Sequence, residues 1–241
     1  MSIDAITRMK RQARWLRLGR RLFGERALLL AGRVLYRLWI EGAGHLPETG
    51  ACLFAFNHVA QVVDLMLNVL IRTRRPDVYL FGLHGFAGEN PLAQFLQLVG
   101  GHDAEAHVLR AYKARGLSAG ELVRALRLLQ DGQAVALAAD GEFTWDGRLQ
   151  HPLAPGAAWL ALRSAAPVVP VVSSGGYDIQ PRWWMDHMQL TGRVTIRVGR
   201  PLLLAKTPIE RLDDDVLAAA NQRLWEAMAQ CQAPPKTILP P

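Results

Sequence analysis

The chain has 241 residues, half of which are hydrophobic, and a formal net charge of +7 at pH 7. This length suits one domain with a sizeable core, and the hydrophobic content excludes a mainly disordered chain. The two cysteines, Cys52 and Cys231, lie far apart in the sequence. They form neither a disulfide framework nor a metal-binding spacing, which is typical of a protein in a reducing compartment.

The positive charge lies in the first 40 residues, which contain ten Arg or Lys and two acidic residues, a net charge of +8. The rest of the chain is nearly neutral and this segment lacks a nucleic-acid-binding signature, so we expect no nucleic-acid partner. At 100° per residue, five basic side chains share one arc of a helix, those of Lys10, Arg14, Arg17, Arg20 and Arg21, with Arg8 and Arg11 as exceptions. The opposite arc carries apolar side chains, those of Trp15, Leu16, Leu18, Leu22 and Phe23.

A helix of this kind can lie in the interface of an anionic membrane, and we predict that residues 1–40 are basic amphipathic membrane-associating helices. Packing on the chain's own domain with a solvated basic face remains an equal alternative, and an organelle-targeting presequence is a third. Polar residues interrupt both long apolar runs, so we expect no membrane span, and we expect no secretory signal. The prediction is a cytoplasmic protein attached peripherally to the inner face of a membrane.

Beyond residue 50, predicted strands and helices alternate along the chain. The predicted strands cover residues 51–56, 78–81, 134–138, 167–173 and 193–198. The predicted helices cover residues 61–72, 91–99, 105–115, 118–131, 156–165 and 207–230. Thr207 is the expected N-cap of the last helix, with Pro208 in its first turn and Glu210 at the capping-box position.

This alternation predicts an α/β fold, with a single domain over residues 41–232. We expect a central, mostly parallel or mixed sheet flanked by helices, with the N-terminal helices packed to one side of it. The Pro-rich residues 233–241 are predicted to form a loose tail.

An Asn57-His58 pair follows the first predicted strand, and Asp64 comes six positions after the histidine. An imidazole titrates near neutral pH and can take a proton from a hydroxyl group. A carboxylate on its other nitrogen orients the ring and stabilises the imidazolium. His58 and Asp64 are therefore the candidate base and its orienting acid, although such a pair also occurs in purely structural roles.

Four blocks occur in the order Glu41–Pro47, Asn57-His58 with Asp64, Asp140-Gly141 with Asp146–Leu149, and Gly156–Ala161 running into Pro167–Val171. In order and spacing they resemble the glycerophospholipid acyltransferase family, whose best-known members are the lysophosphatidic-acid acyltransferases. The resemblance covers about residues 40–205. An ordered set of blocks is much more specific than any one motif.

The resemblance implies an O-acyltransferase that moves a fatty acyl group from acyl-CoA or acyl carrier protein to a hydroxyl of a lysophospholipid. The default acceptor is 1-acyl-glycerol-3-phosphate, and the implied process is phospholipid synthesis or remodelling. His58 and Asp64 would be catalytic. Four residues would line the acceptor side: Asn57, Asp140, Gly141 and Arg148. No metal and no bound cofactor are implied, and the expected partners are the acyl thioester, the lysolipid and an anionic membrane surface.

The chain departs from the family pattern in the His–Asp spacing, because five residues separate His58 from Asp64 where the family has four. In a continuous helix one extra residue would rotate the carboxylate by about 100°, away from the imidazole. We therefore expect His58 to lie in a loop before the helix, where a one-residue bulge restores the contact.

Two arginines that the family is thought to use for the acceptor's phosphate are also missing. Phe143 stands in the place of one, and no arginine occurs near Gly100–Asp103, where the other is expected. Guanidinium groups suit a phosphate monoester best, so we expect only a modest preference for such an acceptor. These departures leave a second hypothesis, a catalytically impaired family member that acts as a peripheral membrane lipid-binding protein.

Overall fold

The structure is a computed structural model, and it describes residues 26–83, 108–112, 116–117, 119–181 and 189–232. Three sequence predictions lie outside these residues: the amphipathic arc around residues 15–23, the helix at 91–99 and the tail at 233–241.

The described strands are β1 (Trp39–Glu41), β2 (Cys52–Phe56), β3 (Tyr79–Leu83), β4 (Val108–Tyr112), β5 (Gly116–Leu117), β6 (Ala134–Ala138), β7 (Val168–Ser174) and β8 (Thr195–Val198). They form one sheet in the order β1-β8-β7-β2-β6-β3-β4-β5. Neighbouring strands are parallel, except that β8 runs antiparallel to β7 and β5 antiparallel to β4. The predicted α/β fold with a mostly parallel, mixed sheet is confirmed.

The described helices are α1 (residues 26–35), α2 (Gln61–Arg74), α3 (Ala119–Gln130), α4 (Gly156–Ser164), the short α5 (Gly176–Ile179) and α6 (Asp214–Gln232), with a 3-10 turn at Ala43–His45. Helices α3, α4 and α6 pack on one face of the sheet, and α2 packs on the other face with Leu29 of α1. Within the part of the chain that the structure describes, no helix is both long and apolar enough to cross a membrane.

Strand β2 lies in the middle of the sheet, and all five of its residues are buried. Because successive side chains of a strand point to opposite faces, Leu53 and Ala55 enter the α3–α4–α6 core, whereas Phe54 and Phe56 enter the α2 core. An apolar run of this kind is typical of a parallel strand covered on both faces. The residues that follow β2 therefore start from a rigid position.

The predicted start of the domain at residue 41 falls within β1, which pairs with β8 from Trp39 onward. Tyr36 and Leu38 are also buried, and both belong to the α2 core. The chain thus joins the domain a few residues earlier than the charge pattern indicates.

The prediction of a helix over residues 105–115 is wrong for residues 108–112, which form β4. The backbone of β4 pairs in parallel with β3, with Leu80 opposite Val108 and Leu83 opposite Ala111. A short apolar run has no decisive period, so pairing with an existing strand determines its conformation.

The predicted start of the last helix at Thr207 is also wrong, because α6 begins at Asp214. The N–H of Ile209 donates to the carbonyl of Leu162 at 3.0 Å. Arg163 of α4 donates to the carbonyls of Ile209 and Glu210. These tertiary hydrogen bonds hold residues 209–210 in a non-helical conformation against the end of α4.

Asp213 takes the N-cap position instead, since its Oδ1 accepts a hydrogen bond of 2.7 Å from the N–H of Val216. The carbonyl of Asp213 accepts the first helical bond, from the N–H of Leu217 at 3.1 Å. The side chain thus satisfies one of the N–H groups that a helix start leaves without a helical partner.

Asp213→Ala should lower the free energy of unfolding by about 1 kcal/mol, because it removes the cap of α6. Thr207→Ala is the matched control, since it removes the hydroxyl that the sequence pattern selects as the cap, and we expect no change. Urea denaturation of both variants measures the difference. Equal losses in the two variants would contradict the observed helix start.

Candidate active site

Strands β2, β6 and β7 are parallel neighbours, so their carboxyl ends meet at one edge of the sheet. Asn57 and His58 follow β2, Asp140 follows β6 by two residues, and Ser173 lies near the end of β7. Ligands of open α/β sheets bind outside the carboxyl ends of the strands. The sequence-predicted base therefore lies where this fold class places its chemistry.

Asn57 is fully buried, and its amide is bonded to Ser173. Its Nδ2 donates to the Ser173 carbonyl at 2.9 Å, while its Oδ1 accepts from the Ser173 N–H at 2.7 Å and from the Ser173 hydroxyl at 3.2 Å. The side chain ties the end of β2 to β7. The resemblance implies a substrate contact for Asn57, and in the structure its side chain is bonded to β7 beside His58.

His58 and Asp64 are in contact, with 2.6 Å between Nδ1 of the ring and Oδ2 of the carboxylate. Helix α2 begins only at Gln61, and Ala60 before it is extended, with φ −156° and ψ 142°. The extra residue is thus accommodated in the loop, and Asp64 lies in the first helical turn. The expected loop position of His58 and its contact with Asp64 are both confirmed.

The contact determines which ring nitrogen remains for a substrate. A carboxylate only accepts hydrogen bonds, so Nδ1–H of His58 donates to Asp64 and Nε2 carries the free lone pair. Burial raises the pKa of Asp64, and the neighbouring His58 opposes that rise. The His58 side chain keeps 22 % of its surface exposed, so the ring is accessible from outside.

Asp140 holds the backbone of His58, because its Oδ2 accepts the His58 N–H at 2.9 Å. Burial raises the pKa of Asp140 to about 6, against the lowering effect of the N–H groups of His58 and Gln150. On the other side, the N–H of Thr144 donates to the His58 carbonyl at 2.9 Å. Both backbone groups of His58 are therefore fixed by the loop after β6.

Phe143 lies on one face of the His58 ring, with the two ring centroids 3.5 Å apart and an angle of 23° between the planes. The next residue, Thr144, is buried, and its hydroxyl contacts the Arg148 carbonyl at 2.9 Å and Asp146 Oδ1 at 3.1 Å. These bonds close the loop into a compact turn. The hydrogen bonds of Thr144 therefore fix the backbone next to Phe143 and help to hold its ring against His58.

The two other predicted acceptor-side residues lie farther out on the same loop. Gly141 is exposed and has a φ of +77°, and a Cβ there would lie 2.9 Å from Cβ of Ala154. Arg148 is 85 % exposed, and its Nε lies 3.9 Å from Asp146 Oδ2. The structure thus brings Asp140 next to His58, whereas the Arg148 side chain projects into solvent.

Sequence reasoning missed the hydrogen bonds that Ser173 makes to Asn57 and Thr144 makes to His58, and the stacking of Phe143 on the His58 ring. No local signal links Ser173 to Asn57, because 116 positions separate them. Thr144 followed by Asp146 is a turn pattern that could have been recognised. Among the described residues, no group of three or more His, Cys, Asp or Glu side chains is arranged to hold a metal ion.

Asp140→Asn should change how stability depends on pH. The pKa of the buried Asp140 carboxyl is raised to about 6 in the folded protein, so its stability contribution is complete below about pH 4 and is lost as the pH rises through 6. Relative to the variant, the free energy of unfolding of the wild type should fall by up to about 3 kcal/mol over this range.

Urea denaturation of both proteins at a series of pH values measures this difference. The asparagine Oδ1 still accepts the His58 N–H, so the variant removes the charge and keeps this hydrogen bond. Parallel stability curves for the two proteins would contradict the raised pKa.

A family model described as Acyltransferase matches residues 37–174, more than half of the chain and the whole of the site. No curated protein matches the sequence significantly. Among solved structures, the crystal structure of the 1-acyl-sn-glycerophosphate (LPA) acyltransferase PlsC from Thermotoga maritima is similar. It is 15% identical with a TM-score of 0.60, over 95% of this chain and 85% of that chain, and at this identity the match shows a shared fold. The family match confirms the resemblance: the chain belongs to the glycerophospholipid acyltransferase family and is an acyltransferase.

Proposed function

We propose that this acyltransferase moves a fatty acyl group from a thioester, acyl-CoA or acyl carrier protein, to a hydroxyl of a lysolipid in phospholipid synthesis or remodelling. The observation that supports the proposal is the 2.6 Å contact of His58 with Asp64, which leaves Nε2 of an accessible imidazole free. The similar PlsC structure is of an enzyme for 1-acyl-sn-glycerophosphate, which makes that lysolipid the default acceptor to test.

In the proposed reaction, Nε2 of His58 takes the proton of the acceptor hydroxyl as the hydroxyl oxygen attacks the thioester carbonyl carbon. The carbonyl π electrons move onto oxygen, and the ring becomes an imidazolium that Asp64 stabilises. The C–S bond then breaks, its electron pair leaves with sulfur, and the carbonyl reforms as an ester. The imidazolium gives its proton to the thiolate, so the His58 ring is again neutral and the thiol is released.

The same contact bears on the lipid-binding alternative, which rested partly on the irregular His–Asp spacing. The five intervening residues do not separate Asp64 from the His58 ring. Both backbone groups of His58 are also fixed, by Asp140 and by Thr144. A site in which the base, its tautomer and its backbone are all held favours catalysis over lipid binding alone.

His58→Ala should lower acyl transfer from acyl-CoA by about a thousandfold, because a positioned general base contributes between 10²- and 10⁴-fold. Asp64→Asn should lower kcat strongly with the fold intact, since the amide can stabilise the other tautomer. His151→Ala is the matched control: His151 is exposed and bonded to Gln222, and its loss should leave the rate unchanged.

The measurement is product formation with labelled acyl-CoA or acyl carrier protein and a panel of lysolipids, identified by mass spectrometry. Full activity of the folded His58→Ala protein would remove the proposed base. No turnover by the wild type with either donor would leave lipid binding as the better hypothesis.

We further propose that the protein is cytoplasmic and is attached peripherally to the inner face of a membrane through an apolar surface at α1. Three large apolar side chains there are strongly exposed: Leu30 (61%), Val34 (72%) and Leu190 (70%). The surrounding positive charges are those of Arg26, Arg33 and Arg37, all exposed. An anionic lipid surface matches both the exposed apolar area and the charge.

Hydrogen bonds of Gln189 and of residues 179–180 join Tyr36, just after α1, to the start of α2. The Tyr36 hydroxyl donates to the Gln189 carbonyl at 3.1 Å, and the Gln189 N–H donates to the Ile179 carbonyl at 2.9 Å. One residue further, Gln180 Oε1 accepts the N–H of Val62 at the start of α2, at 3.3 Å. Lipid bound at α1 would thus lie on the same side of the sheet as the helix that carries Asp64.

Replacing Leu30 and Val34 together by Ser should weaken binding to anionic vesicles at least about tenfold, because burying each apolar side chain contributes over 1 kcal/mol. Added salt should weaken wild-type binding too, through screening of the arginines. The matched control replaces Leu203 and Val216 together by Ser. Both side chains are exposed on the opposite face of the sheet, Val216 in α6 and Leu203 beside it. Vesicle flotation measures binding, and equal losses in the two double variants would contradict the α1 surface.

A further inference from the structure

Strand β7 extends past the end of its neighbour β2. Phe56, the last residue of β2, lies opposite Val171, whereas β7 continues to Ser174. If β2 continued in the same register, His58 would lie opposite Ser173. The chain leaves the sheet instead, and both backbone groups of His58 bind the loop after β6.

The backbone of Ser173 therefore needs a hydrogen-bonding partner at the point where β2 has ended. Ser173 is fully buried, and β8 covers its other side with Ile196 opposite. A buried N–H or C=O group that lacks a hydrogen bond costs free energy. A chain that turns away from the sheet here has to leave something in its place.

The side chain of Asn57 takes the place of the missing strand backbone. Its Nδ2 donates to the Ser173 carbonyl at 2.9 Å, and its Oδ1 accepts the Ser173 N–H at 2.7 Å. A side-chain amide offers the same donor and acceptor groups as a peptide unit. The Ser173 hydroxyl adds a third bond to Oδ1, at 3.2 Å. Asn57 thus stays bound to β7 while the backbone after it turns toward β6.

The two neighbouring side chains differ in what a substrate can reach. Asn57 is 0% exposed, and both heteroatoms of its amide are bonded to Ser173. The His58 side chain keeps 22% of its surface exposed. A substrate bound at the exposed ring therefore touches His58 and does not reach the Asn57 amide, which is covered by protein.

We propose that Asn57 is a positioning residue for acyl transfer: its bonds to Ser173 direct His58 out of the sheet, and it makes no contact with the acceptor. This inference rests on the proposed function, because it takes His58 as the base. Loss of a side chain that only binds substrate raises KM, whereas loss of one that only positions the base lowers kcat. A displacement of about 1 Å can lower a rate on the order of a hundredfold.

Asn57→Ala should therefore lower kcat by about a hundredfold and change KM for either substrate by less than about twofold. Ser173→Ala removes the hydroxyl bond and keeps both backbone bonds, so its kcat should fall by about fivefold or less. Ser174→Ala, at the next position of β7, is the matched control and should behave like the wild type. The substrates are labelled acyl-CoA and the lysolipid of the panel that the wild type acylates fastest.

A double-mutant cycle distinguishes positioning from a general structural effect. In a His58→Ala protein, adding Asn57→Ala should lower the residual rate by less than about threefold, because the base that Asn57 positions is already absent. A lost substrate contact or a distorted site would lower the residual rate as strongly as it lowers the wild-type rate. Urea denaturation checks that each variant is folded under the assay conditions.

Asn57→Asp covers the case in which Asn57→Ala does not fold. Its carboxylate keeps the size of the side chain and still accepts the Ser173 N–H, but it donates nothing to the Ser173 carbonyl. Both this variant and the wild type are assayed at about pH 9, which favours the ionised carboxyl. The variant should again lose kcat at an unchanged KM.

A raised KM for the lysolipid with an unchanged kcat overturns the proposal, because it shows a substrate contact. Full kcat in a folded Asn57→Ala or Asn57→Asp protein overturns it too, and so does full additivity with His58→Ala. Each of these results leaves the acyltransferase reaction in place as long as His58→Ala is impaired. Full activity of His58→Ala instead defeats the proposed base, and the positioning inference with it.

Discussion

The hydrogen bond between His58 and Asp64 is the interaction on which the rest of the site depends. Burying a carboxylate carries a free-energy cost, and here the partner that offsets it is the imidazole ring. Asp64 also lies in the first turn of α2, where the helix dipole favours a negative charge. This hydrogen bond therefore requires a fixed distance and orientation between the loop after β2 and the first turn of α2.

Several parts of the fold maintain that relation. Strand β2 is buried on both faces, and Asn57 at its end is bonded to Ser173 of β7. The loop after β6 then binds the His58 backbone through Asp140 and Thr144. Because β6 and β7 are the two neighbours of β2, Ser173 of β7 and the loop after β6 both attach Asn57 and His58 to the centre of the sheet. Such attachment provides the rigidity that a catalytic geometry needs.

Local patterns allowed much of this to be predicted from the sequence. The apolar run of β2, the His58 loop, α2 and the alternation of strands with helices all follow from periodicity and from the ordered family blocks. The contact across five intervening residues was predictable because Asp64 is the one acid between residues 50 and 76. Because Asp64 is so close to His58 in the sequence, a bulge in the loop was the simplest way to bring the two side chains into contact.

The features that were predicted wrongly or missed from the sequence depend on contacts between residues far apart in the chain. Strand β4 owes its conformation to pairing with β3, and residues 209–210 are held non-helical by the end of α4. The Asn57–Ser173 bonds join the residue after β2 to β7, and the Phe143 stack depends on a loop folded back onto His58. No window of sequence contains such contacts, so propensity and spacing alone do not reveal them.

The central claim is that Asp64 holds His58 as the tautomer with a free Nε2. The most direct measurement is the ¹⁵N NMR spectrum of the His58 ring in alkaline solution, assigned by comparison with a His58→Gln protein. The account predicts a protonated Nδ1 and an unprotonated Nε2, and a loss of this preference in Asp64→Asn. A wild-type ring protonated at Nε2 would contradict it, because that nitrogen would then have no lone pair with which to take the hydroxyl proton.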